Sequence, residues 1–284
     1  MEVISESVKG AEYFLRRMRA NPIKASMALL VLVVATAGGA FIGSFFKELG
    51  EHGAKATIEV LKSGPIGRLA ASRISTLAYR IDIINKTSDV DDSEVKNVVR
   101  ALQDQVQGDF APVWGVSAEL RFVPRGKQPE PNSWWLLIFD GPDQAEMFGY
   151  HDITPNGLPI GKVFTHAIRS AGFSWSAEAS RELLSMLIDP RINLSVFVPS
   201  SNGESGTLWD YEIVSPCQDE KFGYKKDGVL VSDFVTPAWF EPWATRPSSR
   251  FDFRDQIAKP FEVLDGGYAS IYDLKSKKQK VIRK

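Results

Sequence analysis

The chain has 284 residues, 44% of them hydrophobic and 24% charged, and its formal net charge is -1. That balance excludes a largely disordered chain, and a charge so near zero argues against a dedicated nucleic-acid binder. One cysteine, Cys217, rules out an intramolecular disulfide.

In chain order, residues 1–24 form a polar segment that gathers Lys9, Arg16, Arg17, Arg19 and Lys24. Residues 25–46 follow, 22 positions without a charge. As a helix rising about 1.5 Å per residue, this run spans about 33 Å, enough for a bilayer core, so a single transmembrane helix is expected. A buried core helix is one alternative. A cleaved signal peptide with Ala35-Thr36-Ala37 at the cleavage site is another, although the apolar run continues through Phe41, Ile42, Phe45 and Phe46. Gly39 and Gly43 have G-x-x-x-G spacing beside Gly38 and Ala40, a small-residue face that lets two such helices self-associate. The five basic residues before the span outnumber Lys47, Lys55 and Lys62 after it, which favours a cytoplasmic N-terminus. Residues 47–74 read as a helical stalk and linker, broken at Gly64-Pro65-Ile66-Gly67.

From residue 75 to 274 the pattern is α+β. A strand is expected over 77–84. Asp91 or Asp92 then caps a helix whose Val95, Val98, Val99, Leu102 and Val106 keep helical spacing. Val116, Ala118, Leu120 and Phe122 alternate as a strand, 134–139 is apolar enough for a sheet centre, and 161–168 is a further strand. Residues 174–190 predict one amphipathic helix, capped by Ser174 or Ser176, striped by Leu183, Leu184, Leu187 and Ile188, and stopped by Pro190. Beyond it, strands are expected at 193–198, 208–214 and 229–235. Hairpins are expected at Lys226-Asp227-Gly228 and at Asp265-Gly266-Gly267, the latter between 261–264 and 268–274. Six basic residues in 275–284 suggest a solvated basic tail, with contact to a membrane surface or an acidic partner as the alternative.

The helix at 174–190 organises the functional reading. Arg181 and Ser185 stand four apart, with Glu182 beside them, so the three share one face. Those offsets hold ligand, general base and ligand in H-E-x-x-H zinc proteases; here the spacing is present without the imidazoles. The plain alternative is a solvated helix face. A relocated metal site drawn from His151, His166, Asp189, Glu212 and Cys217 is a further possibility, with His151 read in a Gly-Tyr-His-Asp turn. No G-x-S-x-G elbow, P-loop or G-x-G-x-x-G after a strand occurs. Cys217 has no visible partner that would activate a thiol. The aromatic clusters at 134–135 and 239–243 read as core, with Trp243 the exposed candidate.

Residues 79–274 resemble a family of uncharacterised bacterial and phage zinc-metalloprotease-like proteins. The resemblance rests on Gly149-Tyr150-His151-Asp152-Ile153-Thr154-Pro155, on Leu183-Leu184-Ser185-Met186-Leu187-Ile188-Asp189-Pro190, on the stretch from Val231 through Ser232-Asp233-Phe234 to Phe240, and on Gly266-Gly267-Tyr268. It implies a zincin-like mixed sheet with a backing helix and a site helix. The family's site helix reads S-H-E-L-L-E-M-L-x-D-P, with its His and second Glu as metal ligands and its first Glu as base. A later E-V-C-D-P-V-E stretch would supply another ligand. This chain has Arg181, Glu182 and Ser185 at the helix positions, and Glu212, Ser215 and Gln218 at the later ones. Set against the family pattern, a cation replaces a ligand at 181, and carboxylates are lost at 185, 215 and 218. Arg181 is expected to fill the vacated space and pair with Glu182 or Glu212.

The resulting expectation is a single-pass protein of a bacterial inner membrane, with a non-catalytic, protease-like domain that binds a protein or peptide. Glu182 is then a vestigial base, and Arg181, Ser185, Glu212 and Gln218 line a former metal pocket. No cofactor is expected, and no nucleic acid; a homo-oligomer through the transmembrane helix is. Two alternatives stand beside this. One is an active zinc metallopeptidase with non-standard ligands. The other is a membrane-perturbing effector in which residues 1–63 act on the bilayer and the C-terminal domain senses a trigger.

Overall fold

The computed structural model describes residues 78–142, 147–200 and 205–284. The expected polar segment, the transmembrane helix and the stalk and linker all lie outside the described residues. Among those described, no helix is long and apolar enough to cross a membrane.

The first half of the domain builds a mixed sheet. Strand β1 (Ala78–Asn85) leads into α1 (Asp92–Asp104), capped by Asp91, whose carboxylate accepts from the Glu94 amide. The helix widens into one π-helical stretch (Gln105–Phe110) and closes with the short α2 (Ala111–Trp114), which ends at Gly115 in the left-handed region. Then come β2 (Ser117–Val123), β3 (Trp134–Phe139), β4 (Gly149–Ile153) and β5 (Pro159–Phe164). The sheet order is β2-β1-β3-β5-β4; all neighbours are parallel except β4, which runs antiparallel to β5 at the sheet's end. β3 is central, as its unbroken apolar run demands.

Two helices follow, α3 (Thr165–Ser170) and α4 (Trp175–Ile188). The second half adds β6 (Ser195–Pro199), β7 (Gly206–Asp210), the hairpin β8 (Tyr224–Lys226) with β9 (Val229–Val231), and β10 (Tyr268–Asp273) with β11 (Lys278–Arg283). A second, antiparallel sheet has the order β11-β10-β7-β6.

The main core joins β1, β3 and β5 to α1 and α4 through Ile81, Ile83, Leu136, Ile138, Val163, Leu102, Leu183 and Leu187, all fully or almost fully buried. On the other face of the sheet Ile84, Val123 and Leu137 form a smaller apolar layer with Trp135, Phe139 and Ile160. Asp82 also lies buried; it takes both Arg121 nitrogens at 2.7 and 2.6 Å, Ser133 Oγ at 2.8 Å and the Glu130 amide at 2.7 Å. Burial alone would raise its carboxyl; the Arg121 bonds outweigh that and hold it below the usual range.

Several expectations change here. β4 was expected to be a turn, yet its Gly-Tyr-His-Asp residues form a strand, because they pair in register with β5 from Gly149–Val163 to Ile153–Pro159. The strand expected over 161–168 ends at Phe164 and gives way to α3. Residues 261–264 form no strand, so Asp265-Gly266-Gly267 is not a hairpin turn; β10 pairs instead with β7 and β11. Residues 278–283 of the expected basic tail are β11 itself, with the charges outward on an edge strand. The Lys226-Asp227-Gly228 hairpin forms as expected, with Asp227 and Gly228 both at positive φ.

The two carboxyls Asp233 and Asp252 are fully buried. Asp233 accepts from the Phe234 and Arg254 amides at 2.8 and 3.1 Å, and Asp252 from the Gln256 and Ile257 amides at 2.8 and 2.7 Å. Burial, and then the neighbouring Asp252 carboxyl, push the Asp233 carboxyl up to about 9, so Asp233 keeps its proton at neutral pH.

Candidate functional site

The site is built around α4, which is buried almost all round. Small residues make this possible: Ser176, Ala177, Ala179 and Ser180 let neighbours approach, while Leu183, Leu184, Met186 and Leu187 fill the core. Of the two expected caps, Ser174 occupies the N-cap position, but its hydroxyl bonds Ser176 Oγ at 2.8 Å instead of a helix amide, and Ser176 Oγ in turn donates to the Leu230 carbonyl at 2.7 Å. A buried polar knot fixes the helix against its neighbours. Ser180 Oγ donates to Gln105 Oε1 (2.7 Å), Gln105 Nε2 donates to the Ser232 carbonyl (2.8 Å), and the Ser232 amide and hydroxyl donate back to Ser180 (3.1 and 2.8 Å). Gln105 begins the π-helical stretch, which is why its amide faces α4.

Glycines bring the sheet onto this helix. A Cβ at Gly149 would lie 2.8 Å from Glu178 Oε1 and 2.8 Å from the Lys162 carbonyl oxygen. One at Gly267 would lie 2.4 Å from the Pro216 oxygen, so only glycine lets β10 start this close and deliver Tyr268.

The face carrying Arg181, Glu182 and Ser185 is therefore not solvated: Glu182 is 2% exposed and Ser185 4%. Arg181 Nη1 lies 2.8 Å from Glu178 Oε1 and 3.2 Å from Glu182 Oε1, and Nη2 donates to Tyr268 Oη at 3.0 Å. Of the two partners expected for Arg181, Glu182 is the one met at ion-pair distance. The other oxygen of Glu182 takes His151 Nδ1 from β4 at 3.0 Å. The guanidinium thus sits among two carboxylates and a phenol, with an imidazole closing the network.

The charges adjust to one another. Burial would raise the Glu182 carboxyl, but Arg181 and the His151 bond hold it below its ordinary range. Glu178 is pushed up to about 7 by burial, with Arg181 opposing and the charge of Glu182 adding to the rise. Burial disfavours the His151 cation, yet the Glu182 bond and charge lift it above the ordinary imidazole range. Arg181 stays protonated against its burial because Glu178 and Glu182 face it.

The other expected residues divide between two cavities. Ser185 and Glu212 line one of about 220 Å³, together with His151, Asp189, Asp210 and Tyr211. Glu212 accepts from Ser215 Oγ at 2.7 Å. Gln218 lines the other, of about 280 Å³, with Arg181, Glu178, Phe148 and Phe173, and donates to the Gly266 carbonyl at 2.9 Å. A larger cavity of about 690 Å³ lies on the far face of the sheet, between Trp135, Ile160 and the β4–β5 turn, away from this network.

A metal does not fit the centre. Positions 181 and 185 carry a guanidinium and a hydroxyl, each Glu182 oxygen already has a partner in Arg181 or His151, and a fixed cation repels a second one. Among the described residues no three His, Cys, Asp or Glu side chains converge to hold an ion. Cys217 is buried, and that burial pushes its thiol well up, so it is no nucleophile. A carboxylate pinned by Arg181 and His151 is equally poor as a general base.

Glu178, Asp210 and the role of Tyr268 were not legible as site components. Only the Gly266-Gly267-Tyr268 landmark pointed toward the last. No family model, no curated protein and no solved structure matches this chain.

Proposed function

We propose that the domain is a zincin-like pseudo-protease: a peptide- or protein-binding module that has exchanged a catalytic ion for a built-in cation. One observation carries this reading. Arg181, at the position of a metal ligand in the resembled motif, places its guanidinium within reach of Glu178, Glu182 and Tyr268. The layout supports it: α1 backs a mixed sheet with an antiparallel end strand, and α4 carries the site, as expected of a zinc-protease core. In this reading residues 25–46 anchor the domain in a membrane, with the N-terminus cytoplasmic, and the Gly39/Gly43 face supports self-association.

The test is metal content and peptidase activity of the full-length protein beside an R181H/S185E/Q218E variant. The wild-type chain is expected to carry no stoichiometric zinc and to cleave no casein. The variant, with the motif's ligands restored, is expected to take up about one zinc per chain. Wild-type protein with bound zinc, and with casein cleavage abolished by Glu182→Gln, would falsify the proposal.

A further inference from the structure

The two cavities beside Arg181 lie along one stripe of α4. Ala177, Glu178 and Arg181 line the first, and Ser185 and Asp189 line the second. The mean positions of the two sets are about eight residues apart, or about 12 Å at about 1.5 Å per residue. Strand β4 gives an independent measure: Phe148, just before it, lines the first cavity and His151 the second, which is about 10 Å at about 3.3 Å per residue. β4 is also the end strand of its sheet, with no neighbour beyond it among the described residues.

The cavities differ in chemistry. The first carries an apolar side, Phe148 and Phe173, which are 36% and 50% exposed with ring centroids 5.7 Å apart, together with Ile168 and Ala177; Glu178, Arg181, Gln218, Asp219 and Glu220 line the rest of it. The second presents the carboxylates of Asp189, Asp210 and Glu212, and among the described residues no lysine or arginine lines it. Its one basic group, His151, is bonded to Glu182. Asp189 is occupied by the Asn193 and Leu194 amides and Glu212 by Ser215, while burial and the charges of Glu212 and Asp189 crowd Asp210.

We infer that this cleft docks an extended peptide bearing an apolar side chain in the Phe148/Phe173 cavity and a lysine or arginine, three to four residues away, in the Asp189/Asp210/Glu212 cavity. The inference rests on the binding-module reading and names the partner chemistry of that same site. The Phe148/Phe173 side of the first cavity supplies apolar contact area, charge complementarity selects the basic residue, and the two spacings fix the register.

The experiment is calorimetric titration of the full-length protein in mild detergent with two acetylated, amidated peptides, Ala-Phe-Ala-Ala-Lys-Ala and Ala-Lys-Ala-Ala-Phe-Ala. One order is expected to bind, at least tenfold more tightly than the same peptide with norleucine for lysine or alanine for phenylalanine. The preference for lysine is expected to shrink as salt is raised. Asp210→Asn should weaken the lysine peptide about tenfold and leave the norleucine peptide unchanged; Phe173→Ser should weaken both. No binding in either order, or equal binding of lysine and norleucine peptides by the wild-type protein, overturns the inference. If that happens while the chain still lacks zinc and activity, this inference alone fails. Zinc and activity in the wild-type chain would bring down the reading beneath it as well.

Discussion

Replacing Arg181 by methionine isolates what the buried cation does. The side chain is similar in length and apolar, so packing is largely kept while the charge goes. Glu178 and Glu182, whose side chains are 13% and 3% exposed, then face each other with His151, bonded to Glu182, as the one remaining group of this network able to carry positive charge. Breaking a buried pair by removing one partner costs about 3–5 kcal/mol. For a domain of this size each kcal/mol moves the midpoint by about 2–4 °C, so Tm is expected to fall by about 6–20 °C in calorimetry at pH 8. The loss should depend on pH in a definite direction. Without Arg181 the two carboxyls bind a proton more readily folded than unfolded, and that contribution is present at low pH and lost as pH rises. In the wild-type protein Glu178 already takes up its proton near 7, so the defect is largest at pH 8, shrinks by at most about 1.4 kcal/mol per unit as pH falls toward 7, and levels off below that. R181M/E178Q, which removes the like-charge contact, should recover at least half of the lost stability. An unchanged Tm, or a defect equal at pH 5 and pH 8, would refute the claim that Arg181 is the counter-ion of this centre.

Three further outcomes follow from the geometry. Asp233→Asn should flatten the stability profile: the Asp233 carboxyl stands at about 9 folded and about 3.9 unfolded, so the wild-type protein loses about 1.4 kcal/mol per pH unit relative to the variant between pH 5 and 8. Urea melts at three pH values measure this, and parallel curves would contradict a protonated Asp233. Gly267→Ala puts a methyl carbon 2.4 Å from the Pro216 oxygen. It should cost about 1–3 kcal/mol through overpacking and loosen Tyr268 from Arg181, visible as a change in tyrosine absorbance. Gln105→Leu should cost about 1–3 kcal/mol by stranding Ser180 and the Ser232 carbonyl, and protection of α4 amides in hydrogen exchange should fall; unchanged protection would show that the knot does not hold the helix.

Much of the scaffold was legible because local signals and packing agree. Asp91 before a 3.6-residue stripe marks α1, the apolar run at 134–139 marks the central strand, and Asp227-Gly228 marks a hairpin. β4 was missed because its residues alternate weakly, and their strand geometry comes from pairing with β5, a partner ten residues on. The tail was misread for a related reason: lysines on an exposed edge strand look like solvated coil until the pairing with β10 is known. At the site, the offsets of Arg181, Glu182 and Ser185 were visible, but a solvated face was an equally good reading of them. Period alone cannot tell a face covered by solvent from one covered by Gly149, Gly161 and Tyr268, because those come from strands far along the chain. Glu178 stands in the first turn of α4, and nothing local marks it as a partner of Arg181; the sheet's close approach at Gly149 encloses it there.

A counter-charge that belongs to the polypeptide has no dissociation constant. Chelators cannot strip the guanidinium of Arg181, and scarcity of trace elements cannot leave its pocket half assembled. The cleft is complete once the chain has folded, whatever the ionic supply of its surroundings, and only a change in the gene or a titration of its carboxyls can undo it.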